Sequence, residues 1–168
     1  MKISALAVIM FGLFSIHPLT SFAATKEVMF SAEKKEEMNT LLKHYWSIEQ
    51  SLAEDTLVGV KEAAELMIPA ARGLKNKALS DRLQKDARSL AASAGDASGH
   101  SDLGKTREDF KRISTLLAGY LKKNPQSEWT IYHCPMAKSE WVQKSGSDIQ
   151  NPFYGKEMQS CGAKVESP

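Results

Sequence analysis

The residues best equipped for chemistry stand near the end of the chain. Its two cysteines, Cys134 and Cys161, each lie two or three positions from a methionine, Met136 and Met158, and His133 adjoins the first thiol. Thiolate and thioether sulfurs are soft donors that select Cu(I), or for thiolates zinc, over hard cations. The methionines favour Cu(I), because a thioether is a poor zinc ligand, and the Cys-x-x-Cys spacing common in zinc sites is absent. The candidate donors are therefore Cys134, Met136, Met158 and Cys161, with His133 in reserve.

A covalent reading stands beside the metal one. In an oxidising compartment the two cysteines could pair, and closing a loop of about 28 residues is worth roughly 3.6 kcal/mol in the chain-entropy picture. An oxidised pair would still leave Met136, Met158 and His133 as neutral donors for Cu(I). A ring such as Trp129 or Trp141 could then lie against the metal through its π face. For methionines in general, core packing is the commoner role.

The elements that must hold this stretch lie upstream. Residues 1–23 read as an export signal: Lys2, an apolar run from Ile3 to Ile16, then the small residues of Ser21-Phe22-Ala23. The run is shorter than the ~20 apolar residues of a membrane span. Residues 24–168 are expected to form one exported domain, periplasmic or secreted, with no membrane span. Removing Lys2 takes the net charge from +2 to +1. Bases and acids are interleaved, as in Glu33-Lys34-Lys35-Glu36-Glu37, so nothing resembles the clustered basic face that nucleic acid requires.

Four helices are predicted. The first spans about Ser31 to Ala53, capped by Ser31, with Met38, Leu41, Leu42, Tyr45, Ile48 and Leu52 on one face. The second follows a cap at Asp55 or Thr56, carries Leu57, Val60, Ala64, Met67 and Ala71, and is interrupted or bent at Pro69. The third, Leu79 to Ala94, precedes a loop rich in breakers from Gly95 to Ser101. The fourth, Asp102 to Lys123, aligns Leu103, Phe110, Ile113, Leu117 and Tyr120 and ends at Asn124-Pro125. Short connections favour an all-α, up-down four-helix bundle. Trp129 to His133 could be a short extended piece. The rest of the tail reads as irregular and aromatic, packed on the bundle.

Signatures of catalysis are missing: no Gly-x-Ser-x-Gly, no His-Glu-x-x-His, no phosphate-cradling glycine loop, no Cys-x-x-Cys. The expectation is a protein that is not an enzyme. His44 reads as a helix surface or core residue, His100 lies in the loop, and His17 falls in the export signal.

The tail resembles the bacterial DUF3347 domain family, through Tyr132-His133-Cys134-Pro135-Met136 and Asn151-Pro152-Phe153-Tyr154-Gly155-Lys156-Glu157-Met158-Gln159-Ser160-Cys161-Gly162. The likeness extends to Leu42 through Asp55 in the first helix and to Arg107-Glu108-Asp109-Phe110 in the last. The linker Ala137 to Gln150 is shorter than the family's and keeps only Trp141 of its wording. The resemblance implies a helical bundle and an association with copper or heavy-metal handling. Family members occur alone or on periplasmic adaptor subunits of heavy-metal efflux pumps. The functional expectation is sequestration of Cu(I), or its delivery to an efflux adaptor or another periplasmic metal-handling protein. The alternative is a disulfide-stapled module, without metal, that docks on an envelope or efflux partner.

Overall fold

The computed structural model describes residues 21–95 and 99–166, of which 21–34 are described by their backbone alone. The expected export signal lies outside the described residues apart from its last three. Four α-helices follow one another: α1 (Ser21–Ala53), α2 (Val60–Arg72), α3 (Lys77–Ala94) and α4 (Leu103–Lys123). Three β-strands complete the chain: β1 (Trp129–Cys134), β2 (Ser139–Lys144) and β3 (Ala163–Lys164). A turn of 3-10 helix, Gly155–Met158, precedes β3. Among the described residues no helix is long and apolar enough to cross a membrane.

Helical periodicity accounts for the bundle. Met38, Leu41, Leu42, Tyr45, Ile48 and Leu52 all fall on the core side of α1 and are buried, and the same holds for Leu83, Ala87 and Leu90 of α3. The caps are local hydrogen bonds. Asn76 accepts from the Leu79 amide at 3.1 Å, and Asp102 accepts from the Lys105 amide at 2.9 Å. Two helix boundaries differ from expectation. α1 is already helical at Ser21, the first described residue, with no glycine or proline from there to Ala53, so Ser31 is interior rather than a cap. α2 starts after Gly59, which has a φ of 75°, and runs through Pro69 to Arg72. Pro69 opens the last turn, where the lost amide costs a single hydrogen bond and few residues follow.

The all-α expectation is wrong in the tail. Trp129–Cys134 and Ser139–Lys144 form an antiparallel hairpin, and β3 pairs with β1 on its other side, giving the strand order β2-β1-β3. The protein is a mixed fold, a helical bundle joined to a three-stranded sheet. Pro135 and Gly146 are turn residues. The four-residue loop Pro135 to Lys138 closes the hairpin, with Lys138 in the left-handed region (φ 49°). The aromatic and β-branched residues on either side favour a pleated, half-buried surface.

Consecutive helices pack on one another, and β2 docks on α4 and touches α1. The seam is stitched by Tyr45, which lies 0% exposed in α1. Its hydroxyl pairs with Ser114 Oγ of α4 at 2.8 Å and accepts the Val142 amide of β2 at 3.2 Å. Tyr45→Phe is expected to leave that amide without a partner inside the core. The cost should be about 1–3 kcal/mol in a urea titration. A change below a few tenths of a kcal/mol would show that the hydroxyl does not hold the sheet.

Candidate functional site

The tail's motif residues converge on one region, and most of them have structural work there. Arg107 of α4 donates to three acceptors: the Leu52 carbonyl at 2.7 Å, Asp55 Oδ1 at 2.5 Å and the Pro152 carbonyl at 3.1 Å. Asp55, with a φ of 58°, also accepts the Lys156 amide at 3.1 Å through its second oxygen. The Arg107 guanidinium beside it lowers the Asp55 pKa. Gly155 passes so close that a Cβ there would overlap Asp55 Oδ1 and Arg107 Nη2. This clamp fastens the tail to the end of α1 and the start of α4.

Asn151 shapes the loop that carries Cys161. It is fully buried, and its side-chain amide donates to the Cys161 carbonyl at 2.7 Å while its Oδ1 accepts the Phe153 amide at 2.9 Å. Its own backbone amide bonds the Gln159 carbonyl at 2.7 Å. The aromatic residues form a continuous row. Tyr132 stacks on Trp141 at 5.3 Å, Trp141 meets the edge of Phe153 at 5.8 Å, Phe153 lies 6.5 Å from Phe110, and Phe110 stacks on Tyr45 at 4.7 Å. Gly162 is small because the Trp141 indole lies where its Cβ would be.

The sulfur residues remain once these roles are assigned. His133 pairs with Ala163 across β1 and β3, so one step further along the ladder brings Cys134 alongside Gly162 and Cys161. Partial burial raises the Cys161 pKa first, and charge and hydrogen bonding from Cys134 raise it further. Both cysteines are free thiols, Cys134 buried and Cys161 half-buried. The Ala137 amide donates to Cys134 Sγ at 3.3 Å across the hairpin loop. Met136 projects from the same loop at 59% exposure, unusual for a large apolar side chain. Met158 is half-buried, and its carbonyl accepts the Cys161 amide at 2.9 Å in the turn joining the two residues.

His133 is placed elsewhere. Successive strand residues face opposite sides of a sheet. Its exposed side chain therefore lies on the face away from Cys134, opposite Glu140, which pairs with Lys122 at 2.6 Å. Trp141 is 0% exposed, stacked by Tyr132 and bounded by Phe153 and Gly162. Trp129 is at the far end of β1, roughly 16 Å along the strand. Among the described residues no three His, Cys, Asp or Glu side chains cluster as a metal cage. Any metal here would rest on the two thiols and the thioethers.

One buried group escaped the sequence reading. Glu49 of α1 is 0% exposed and neither carboxylate oxygen has a hydrogen-bond partner. Burial pushes its pKa up to about 9. Its spacing was a visible signal, since Glu49 falls four residues after Tyr45 and three before Leu52, on the core stripe.

No family model matches the chain, and no match was found among curated proteins or solved structures.

Proposed function

We propose that this protein is an exported, periplasmic soft-metal carrier that takes Cu(I) between Cys134 and Cys161, with Met136 and Met158 as flanking thioethers. It serves sequestration, or delivery to a heavy-metal efflux adaptor. The observation that carries the reading is the β1–β3 register, which brings two free cysteines from distant parts of the tail side by side. Two neutral-to-anionic soft donors side by side suit a soft monovalent cation and discriminate against hard divalent ones. The resemblance to DUF3347 points the same way. His133 is left out of the donor set because its strand position turns it away.

A competitive Cu(I) titration of the reduced protein tests this. We expect one equivalent bound, affinity reduced by about 100-fold or more in Cys161→Ser, and by about 10-fold in Met136→Ala. An unchanged affinity in Cys161→Ser would overturn the assignment, as would no binding by the reduced wild type. The neighbouring thiols also favour a second reading, a permanent Cys134–Cys161 staple in a docking module. That reading requires the protein as isolated to contain no free thiol.

A further inference from the structure

We propose that Cys161 is a modification site for an external disulfide and that Cys134 resolves the adduct, so that thiol–disulfide exchange governs whether the pair can hold a metal. The last clause rests on the metal-binding reading above, but the exchange itself does not. The geometry sets the order of events. Cys134 is 0% exposed beneath the hairpin loop and is bonded by the Ala137 amide, so a bulky disulfide cannot reach its sulfur. Cys161 is half-buried, in the turn after the 3-10 helix, and the β1–β3 register brings it beside Cys134. The loop beneath Cys161 is held by its carbonyl to Asn151, which leaves the side chain as the moving part.

The chemistry balances in two exchanges. The Cys161 thiolate attacks one sulfur of R–S–S–R, a Cys161–S–S–R bond forms, the external S–S bond breaks and RS⁻ leaves. The Cys134 thiolate then attacks Cys161 Sγ, expels the second RS⁻ and closes a Cys134–Cys161 disulfide. The protein's two thiols lose two electrons and two protons, and the external disulfide is reduced to two thiols. Both sulfurs are then bonded to each other, and the anionic donors for a soft cation are gone.

The test uses 4,4'-dithiodipyridine as the external disulfide, with released thiopyridone counted by absorbance. The wild type should release two equivalents and gain an intramolecular disulfide by mass. Cys134→Ser should stop at one equivalent with a stable adduct on Cys161. Folded Cys161→Ser should react about 100-fold more slowly than Cys134→Ser, as access dictates. Peptide mapping of wild type quenched at early times needs no variant and should place the first adduct on Cys161. An early adduct on Cys134, or a wild type that ends with two separate adducts, overturns the proposal. A final Cu(I) titration should find the oxidised wild type about 100-fold weaker than the reduced form. Equal affinity would refute the control of metal binding. If the reduced form binds no Cu(I), the carrier reading falls while the order of exchange stands on its own result.

Discussion

Replacing Glu49 with glutamine should stabilise the protein at neutral pH by about 3 kcal/mol and flatten its stability profile in alkali. The carboxyl is fully buried with both oxygens unpartnered, and burial pushes its pKa from 4.5 to about 9. The folded chain keeps it protonated while the unfolded chain ionises it. Full stability is therefore present below pH 4.5 and is lost as pH rises toward 9. The slope is about 1.4 kcal/mol per pH unit, so roughly 3 kcal/mol has gone by pH 7. Glutamine has the same shape and an equally unpartnered polar end, so the difference between the two proteins isolates ionisation. His44, whose pKa is lowered by burial and by Lys43, titrates in both and cancels. Urea denaturation of both proteins at pH 5, 7 and 9 should give curves that diverge with pH. Parallel curves would mean that Glu49 is charged or solvated in the folded state.

Gly155→Ala is expected to destabilise the protein by about 2–4 kcal/mol. Two effects combine. Gly155 has a φ of 57°, where an L side chain costs about 1–2 kcal/mol. Its new Cβ would also drive into the Asp55–Arg107 pair and part the clamp. Gly146→Ala separates these effects, because Gly146 has a φ of 82° but nothing near its Cβ. That control should lose only the conformational part, about 1 kcal/mol. Equal losses in the two variants would show that the clamp contributes nothing. Loosening the clamp should also make Cys134 reactive toward thiol reagents while the helices persist by far-ultraviolet circular dichroism.

The helices were legible because their signal is local. A stripe such as Leu41, Tyr45, Ile48 and Leu52 repeats within one element, and Asp102 caps the amide of a residue three positions away. The sheet was not, since its evidence is non-local. Pairing Tyr132 with both Trp141 and Lys164 depends on turns that read equally well as loop. The extended piece expected at Trp129 to His133 is β1, but without its partners β2 and β3 the face each residue occupies stays hidden, and His133 groups with Cys134. The sulfurs at Cys134 and Cys161 could be named from their types, and their approach follows from the β1–β3 register. The roles of Gly155 and Gly162 could not, because their neighbours Asp55, Arg107 and Trp141 meet them only in the folded chain, and that of Asn151 depends on how its loop closes on the Cys161 carbonyl.

The clamp also fixes an order of assembly. Asp55 waits for the Lys156 amide and Arg107 for the Pro152 carbonyl, so the end of α1 is completed by a segment far downstream in the chain. The bundle, built from sequence neighbours, can form early, whereas the sheet and sulfur loop must close contacts across about a hundred positions. The tail is thus expected to dock last and to come away first in local unfolding. Hydrogen exchange at the β1 and β3 amides should outrun exchange at Ile48 and Leu83. On that order, the thiols would be exposed without dismantling the helices against which the tail packs.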